Sequence, residues 1–145
     1  MRCHCYLRHG AVFLPTTGKV DKNVYFLVEP VAVVPVSNTG ALRTALQETL
    51  KRGNPAVEYD RSAPPILCKY AGVKSWNTFA RNASLWVMDE TNGILRIEPN
   101  SRDSRGAFTP DKNAVETLPP GSTVDDLIDR MIAILQNAAA NRTSS

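Results

Sequence analysis

The chain has 145 residues, the length of one domain, and a mass of 15.9 kDa. Hydrophobic residues make up 43% of it and charged residues 21%, a composition typical of folded globular domains and unlike that of disordered chains. The longest apolar run, 131–135, is far shorter than the ~20 residues of a membrane-spanning helix, and no signal-peptide core follows the N-terminus. We therefore expect a cytoplasmic protein that makes no contact with a membrane.

Charge is distributed unevenly along the chain. Residues 1–81 hold 11 Lys or Arg and 5 Asp or Glu, whereas residues 82–145 hold 6 and 9. The net charge of +3 and the pI near 8.9 allow contact with nucleic acid, but they fall short of the strong basic stripe that such binding usually shows. We therefore expect no direct binding of nucleic acid.

Residues 1–36 have the pattern of β-strands. The apolar run 11–15 and the segment 24–29, rich in Val, Tyr and Phe, predict a hairpin joined by a polar connection over 16–23. Pro30 and Pro35 cannot donate hydrogen bonds to a neighbouring strand. This stretch is therefore predicted to be an edge strand, a bend or two short strands.

Residues 38–52 predict the first long helix. Their apolar residues repeat at helical spacing, and Asn38 or Thr39 can cap the free amides at the start. Gly53 supplies a left-handed stop, and Pro55 prevents the helix from resuming.

The middle of the chain predicts short elements separated by loops. Asn92-Gly93 stands between two apolar runs, which is the strongest short-range signal of a β-hairpin. Ser75 can cap the amides of a helical turn. The predicted elements are a strand over 66–70, a helical turn over 76–81, hairpin arms over 85–89 and 94–98, a surface loop over 99–113 with a short strand near Phe108, and a strand over 114–118.

A second long helix is predicted over 123–139, followed by a disordered tail over 141–145. Ser122 or Thr123 can cap the helix, and its apolar residues form a wide stripe. The whole pattern predicts a single α+β domain over 1–140, in which two principal helices pack against a mainly antiparallel sheet. The sheet is predicted to contain the segments 11–36, 66–70, 85–98 and 114–118.

Few side chains are suited to catalysis or metal binding. Cys3, His4 and Cys5 are residue types that bind zinc, but on a strand His4 points away from the two cysteines. With Cys68 the cysteines number three, and we expect reduced, buried thiols. No nucleophile motif or phosphate-binding loop is present in the sequence. We therefore predict no catalytic residue, metal ion or cofactor.

Two stretches leave alternatives open. Asp125 and Asp129 share a helix face, as carboxylates that bind magnesium often do, although the same positions suit a solvated helix start. The segment 69–81 interleaves basic residues with aromatic ones, a pattern that can bind single-stranded RNA. Helical spacing instead favours packing of Trp76 and Phe79 into the core. A small RNA-binding module and a metal-dependent enzyme are therefore kept as alternative functions.

Four segments carry a family resemblance that spans roughly residues 20–135. The segments are 25–30 (YFLVEP), 40–46 (GALRTAL), 69–76 (KYAGVKSW) and 118–123 (LPPGST). In these segments the chain resembles the small immunity proteins of bacterial contact-dependent growth inhibition systems.

The resemblance implies a protein without enzymatic activity. Such a protein binds the C-terminal toxin domain delivered by a neighbouring cell and blocks it in the cytoplasm by forming a tight non-covalent complex. Many of these toxins are nucleases that act on tRNA or DNA. Inhibitors of nucleases are often acidic, and this chain departs from that pattern because its net charge is positive.

The partner surface is predicted from charge. A nuclease domain must hold a polyanion, so its cleft is expected to be electropositive and to face carboxylates of this chain. Two groups of carboxylates are predicted to bind the toxin domain. They are Asp89 and Glu90 beside the hairpin turn, and Asp125, Asp126 and Asp129 at the start of the last helix.

Overall fold

The computed structural model describes residues 1–143, which contain seven strands, four α-helices and one 3-10 turn. The predicted single α+β domain is confirmed. In chain order, the elements are β1 (Arg2–Arg8), β2 (Ala11–Asp21), β3 (Val24–Pro35), α1 (Thr39–Arg52), α2 (Ile66–Ala71), α3 (Trp76–Arg81), β4 (Ala83–Thr91), β5 (Ile94–Arg102), β6 (Phe108–Pro110), the 3-10 turn (Lys112–Ala114), β7 (Glu116–Thr117) and α4 (Val124–Thr143).

The strands form one antiparallel sheet in the order β3-β2-β1-β4-β5-β6, and β7 pairs with β5. Helices pack on both of its faces. The first face, with α1 and α4, holds the larger core, which includes Leu46, Met88 and Met131. The second face, with α2 and α3, holds a smaller core that includes Tyr6 and Phe79. Within residues 1–143, no helix is long and apolar enough to cross a bilayer.

Strand β1 lies in the middle of the sheet and contributes to both cores. Because successive side chains of a strand point to opposite faces, Cys3 and Cys5 enter the core beneath α1 and α4. His4 and Tyr6 point to the second face, where their rings stack with centroids 6.3 Å apart. The predicted alternation of the Cys-His-Cys motif is therefore confirmed.

The β2–β3 hairpin is longer than predicted. The polar connection predicted over 16–23 is wrong, because pairing continues to Asp21 and leaves a turn over 22–23. Gly18 lies against Val57 so closely that a Cβ atom would come within 2.5 Å of it. Gly18 thus allows the 53–65 loop to pack closely against β2. Strand β3 is an edge strand with a register shift opposite Pro15, which agrees with the expectation drawn from its prolines.

The strand predicted over 66–70 is wrong, because these residues form helix α2. A short apolar run is compatible with either structure, and tertiary packing decides between them. Pro65 precedes the first turn, Gly72 ends the helix in the left-handed conformation, and Leu67 and Cys68 are buried against the second face. The predicted helical turn that follows is confirmed, with Ser75 accepting a hydrogen bond from the Thr78 amide.

The β4–β5 hairpin is confirmed, with Asn92 and Gly93 at φ angles of 54° and 78° in its turn. Both residues have the positive φ that a two-residue hairpin turn requires. A short strand, β6, does contain Phe108 within the predicted surface loop. The strand predicted over 114–118 is shorter than expected and consists of Glu116–Thr117.

Both long helices begin as predicted. Asn38 caps α1 by accepting a bond from the Ala41 amide, and Thr123 accepts one from the Asp126 amide at the start of α4. Helix α4 continues to Thr143, so the predicted disordered tail does not begin at residue 141. The rest of that predicted tail, 144–145, lies outside the described residues.

Candidate interaction surface

The second face of the sheet is covered over only part of its area. Helices α2 and α3 pack over the part of the face around Tyr6, Phe13 and Leu85. Beyond them, toward the β4–β5 turn, the strands line an open groove of about 320 Å³. We call it the polar groove, and its lining residues are Met1, Arg2, Asn23, Tyr25, Asp89, Glu90, Thr91 and Arg96.

An ion pair crosses the floor of the polar groove. Arg96 on β5 lies opposite Asp89 on β4, and its Nε and Nη2 atoms donate to Oδ1 and Oδ2 at 3.1 and 3.4 Å. Asp89 is only 8% exposed, so most of its predicted partner-binding surface is covered within the chain. Glu90 is exposed. This pair could have been predicted from the Asn92-Gly93 turn. Residues equally distant from a two-residue turn lie opposite each other in the hairpin, and Asp89 and Arg96 are each three residues from it.

Arg2 is the second guanidinium of the groove. Its Cζ atom lies 5.5 Å from the centre of the Tyr25 ring, a cation–π arrangement. The Asn54 side chain holds the Arg2 backbone in place, accepting from its amide at 2.9 Å and donating to its carbonyl at 2.7 Å. Arg2 belongs to none of the ion pairs found among the described residues. It therefore presents a positive charge that no carboxylate of residues 1–143 neutralises by direct contact.

His4 lies next to the groove in the gap where β1 and β2 diverge. Its Nδ1 atom is 3.2 Å from the Thr17 hydroxyl. Burial, and to a lesser degree the charge of Arg2, lower the pKa of His4 from 6.5 to about 4. The imidazole is therefore neutral at neutral pH and adds no charge to this surface.

A second cavity, which we call the aromatic pocket, adjoins the groove at Tyr25. It has a volume of about 370 Å³ and lies between β3, the 54–65 loop and helices α2 and α3. The rings of Phe26 and Tyr59 meet edge to face with centroids 5.2 Å apart, and Tyr59 is 54% exposed. The lining residues are Tyr6, Tyr25, Phe26, Leu27, Tyr59, Asp60, Arg61, Ala63, Pro65, Ile66, Leu67 and Trp76.

The aromatic pocket was not foreseen from the sequence. Its lining residues belong to segments that are far apart in the sequence and come together only when the chain folds. The one available signal was Tyr59, a large aromatic residue in a loop that otherwise contains polar and proline residues.

The three carboxylates at the start of α4 differ in whether other residues of the chain bond to them. Asp126 accepts a bond from the Thr123 amide at 2.8 Å, which closes a reciprocal cap. Asp129 pairs with Arg43 of α1. Asp125 is exposed, and its carboxylate makes no hydrogen bond or ion pair with the rest of residues 1–143. Of the three, only Asp125 is a free carboxylate.

The two predicted acidic groups lie toward the same end of the molecule. The Leu118 amide donates to the Leu95 carbonyl at 2.9 Å, next to the β4–β5 turn, and α4 begins six residues after Leu118. At its other end α4 reaches the start of β4, where Arg142 donates to the Asn82 carbonyl at 3.0 Å. Glu90 and the start of α4 therefore lie toward the turn end of the molecule, with α4 on the first face and the polar groove on the second.

The aromatic residues of the 69–81 segment are used mainly for packing. Trp76 stacks on the fully buried Phe79 at 5.3 Å, and its Nε1 atom donates to the Gly106 carbonyl. The expected core packing of these two rings is therefore confirmed. Tyr70 is more exposed, and its hydroxyl and Lys69 both donate to Glu29.

The remaining candidate ligands do not converge. Cys3, Cys5 and Cys68 are buried free thiols, and burial raises the pKa of the Cys68 thiol. In the described part of the chain, no three His, Cys, Asp or Glu side chains are arranged to hold a metal ion.

Comparison with known proteins identifies the fold but not a function. The sequence matches no family model, and no curated protein matches it. Among solved structures, the chain is similar to the Protein of Unknown Function NMB0488 from Neisseria meningitidis. The two superpose with a TM-score of 0.64 over 97% of this chain and 93% of that chain, at 16% sequence identity. This level of identity shows a shared fold alone.

Proposed function

We propose that this chain is a cytoplasmic immunity protein that neutralises the cognate toxin domain of a contact-dependent growth inhibition system. The toxin domain is expected to be a nuclease acting on tRNA or DNA, and inhibition is by a tight non-covalent complex. The observation that carries the proposal is the open part of the second face, where the polar groove and the aromatic pocket meet at Tyr25. Tyrosine, tryptophan and arginine dominate the binding energy of protein interfaces, and this surface contains all three.

Two of the four segments that carry the family resemblance contribute to this surface. Residues 25–30 belong to β3, and Tyr25 lines both cavities. Trp76, at the end of the 69–76 segment, lines the aromatic pocket. The segments 40–46 and 118–123 lie in α1 and before α4, where they support the larger core and the helix start.

The proposal is tested first by gene position and then with protein: a gene for an adhesin-toxin should lie directly upstream of the gene for this chain, and the C-terminal domain it encodes is the partner to test. We expect cells that produce the toxin domain to grow only when this chain is produced as well. The purified pair should form a stable complex in calorimetry, and the toxin should lose nuclease activity in it. An absence of any complex, or nuclease activity that persists in the complex, would overturn the proposal.

Reversing the free carboxylates should weaken the complex. We expect Glu90→Lys combined with Asp125→Lys to reduce toxin affinity at least about tenfold at low salt, because an interfacial charge of the wrong sign repels basic residues of the toxin. The loss should shrink at high salt, since salt screens exposed charges. Calorimetry at two salt concentrations measures both effects. Glu48→Lys, an exposed reversal on α1, is the control, and equal affinity of the double variant and this control would contradict the prediction.

A further inference from the structure

Resting on the proposed function, we infer that the aromatic pocket receives an aromatic or large aliphatic side chain of the toxin domain, with a toxin carboxylate beside it that pairs with Arg2. The pocket would then hold the apolar anchor of the complex. The polar groove would fix the orientation of that anchor.

The shape of the pocket suits one large side chain. Its volume of about 370 Å³ is at the small end of the range for ligand sites, and most of its lining is aromatic or aliphatic. Ring walls bind an aromatic side chain well, because edge-to-face and offset contacts add to the burial of apolar area. Tyr59 lines the pocket with its ring against Phe26 and is 54% exposed, so this wall of the pocket is open to a partner.

The charges around the pocket select the chemistry of its occupant. Asp89 is already neutralised by Arg96, whereas Arg2 over the Tyr25 ring is not paired with any described carboxylate. Asp60 and Arg61 both line the pocket and are exposed, so their charges offset each other there. The unpaired Arg2 guanidinium, over the Tyr25 ring that the groove and the pocket share, is the charge that a partner can neutralise. A segment that carries an apolar side chain next to an acidic one complements it.

The extent of the surface favours a protein as the occupant. Because Tyr25 lines both cavities, the surface runs without interruption from Arg61 past Tyr25 to Arg96. An apolar anchor pocket bordered by polar groups is the arrangement found at the centre of stable protein interfaces.

Filling the pocket tests the inference. Ala63 is half-buried in the pocket wall, and Ala63→Leu adds a side chain that occupies part of the space. We expect this variant to bind the toxin domain roughly 30-fold or more weakly in calorimetry, the size of effect seen when an anchor residue is lost. Ala133→Leu, the same change at an exposed position of α4, is the matched control and should bind like the parent.

Two further variants keep the test decisive. Tyr59→Ala removes one wall at an exposed position, so it should weaken binding even if Ala63→Leu does not fold. Arg2→Gln should weaken binding and reduce its dependence on salt. If the parent binds the toxin and the Ala63 and Tyr59 variants bind equally well, the pocket inference is wrong while the proposed function stands. If the parent does not bind the toxin domain at all, both are wrong.

Discussion

Replacing Phe79 with alanine should destabilise the fold by about 3–5 kcal/mol, the cost of truncating a fully enclosed phenylalanine. Phe79 is 0% exposed and lies at the centre of the second-face core. Its ring centroid is 5.7 Å from that of Tyr6, 5.4 Å from that of Phe13 and 5.3 Å from that of Trp76. Truncation removes these contacts together and leaves a cavity that the rigid sheet cannot close.

Urea denaturation of the parent and of Phe79→Ala measures this difference. Tyr59→Ala is the control, because Tyr59 is also aromatic and on the same side of the sheet but is 54% exposed. We expect the control to change the free energy of unfolding by no more than about 1 kcal/mol. A similar loss in both variants would show that the second-face core does not depend on Phe79.

Acidification should destabilise the protein through His4. The pKa of His4 is about 4 in the folded chain, because burial and the Arg2 charge disfavour the protonated ring, and it is 6.5 in the unfolded chain. Between these values the unfolded state binds more protons, so stability rises with pH in this window and falls as the pH is lowered. The loss on going from pH 7.5 to pH 4 is at most about 3 kcal/mol from this one residue.

His4→Gln isolates this contribution from that of the carboxylates, which also titrate in acid. Glutamine can keep a hydrogen bond to the Thr17 hydroxyl without titrating. We expect the parent to lose more stability than the variant between pH 7.5 and 4, and proton NMR of His4 to show an imidazole that stays neutral at pH 6. Parallel stability curves for parent and variant would rule out the lowered pKa.

The elements predicted correctly are those that nearby residues determine. Helix α1 follows from its apolar spacing, the Asn38 cap and Gly53, all within one short segment. The β4–β5 hairpin follows from Asn92-Gly93, because a positive φ at two successive residues leaves few alternatives to a tight turn. The alternation of Cys3, His4 and Cys5 between the two faces follows from strand geometry alone.

The features that define the candidate surface were decided by tertiary contacts. Residues 66–70 form a helix because Leu67 and Cys68 find a core on the second face that covers one side of a helix. Asp89 became a buried ion-pair partner because the antiparallel register sets Arg96 opposite it. Phe26 and Tyr59 meet only because the 54–65 loop crosses the end of β2.

The local sequence pattern thus determined the secondary structure of segments such as α1 and the β4–β5 turn. In these segments, capping residues, residues with positive φ and amphipathic spacing are sufficient to specify a helix or a turn. The interaction surface depends instead on which strands become neighbours and which side of the sheet each loop crosses. Those choices are made by the burial of apolar surface between segments distant in the chain, such as Phe13 and Phe79, and no short segment contains that information. The aromatic pocket and the unpaired Arg2 beside it therefore became visible only in the folded structure.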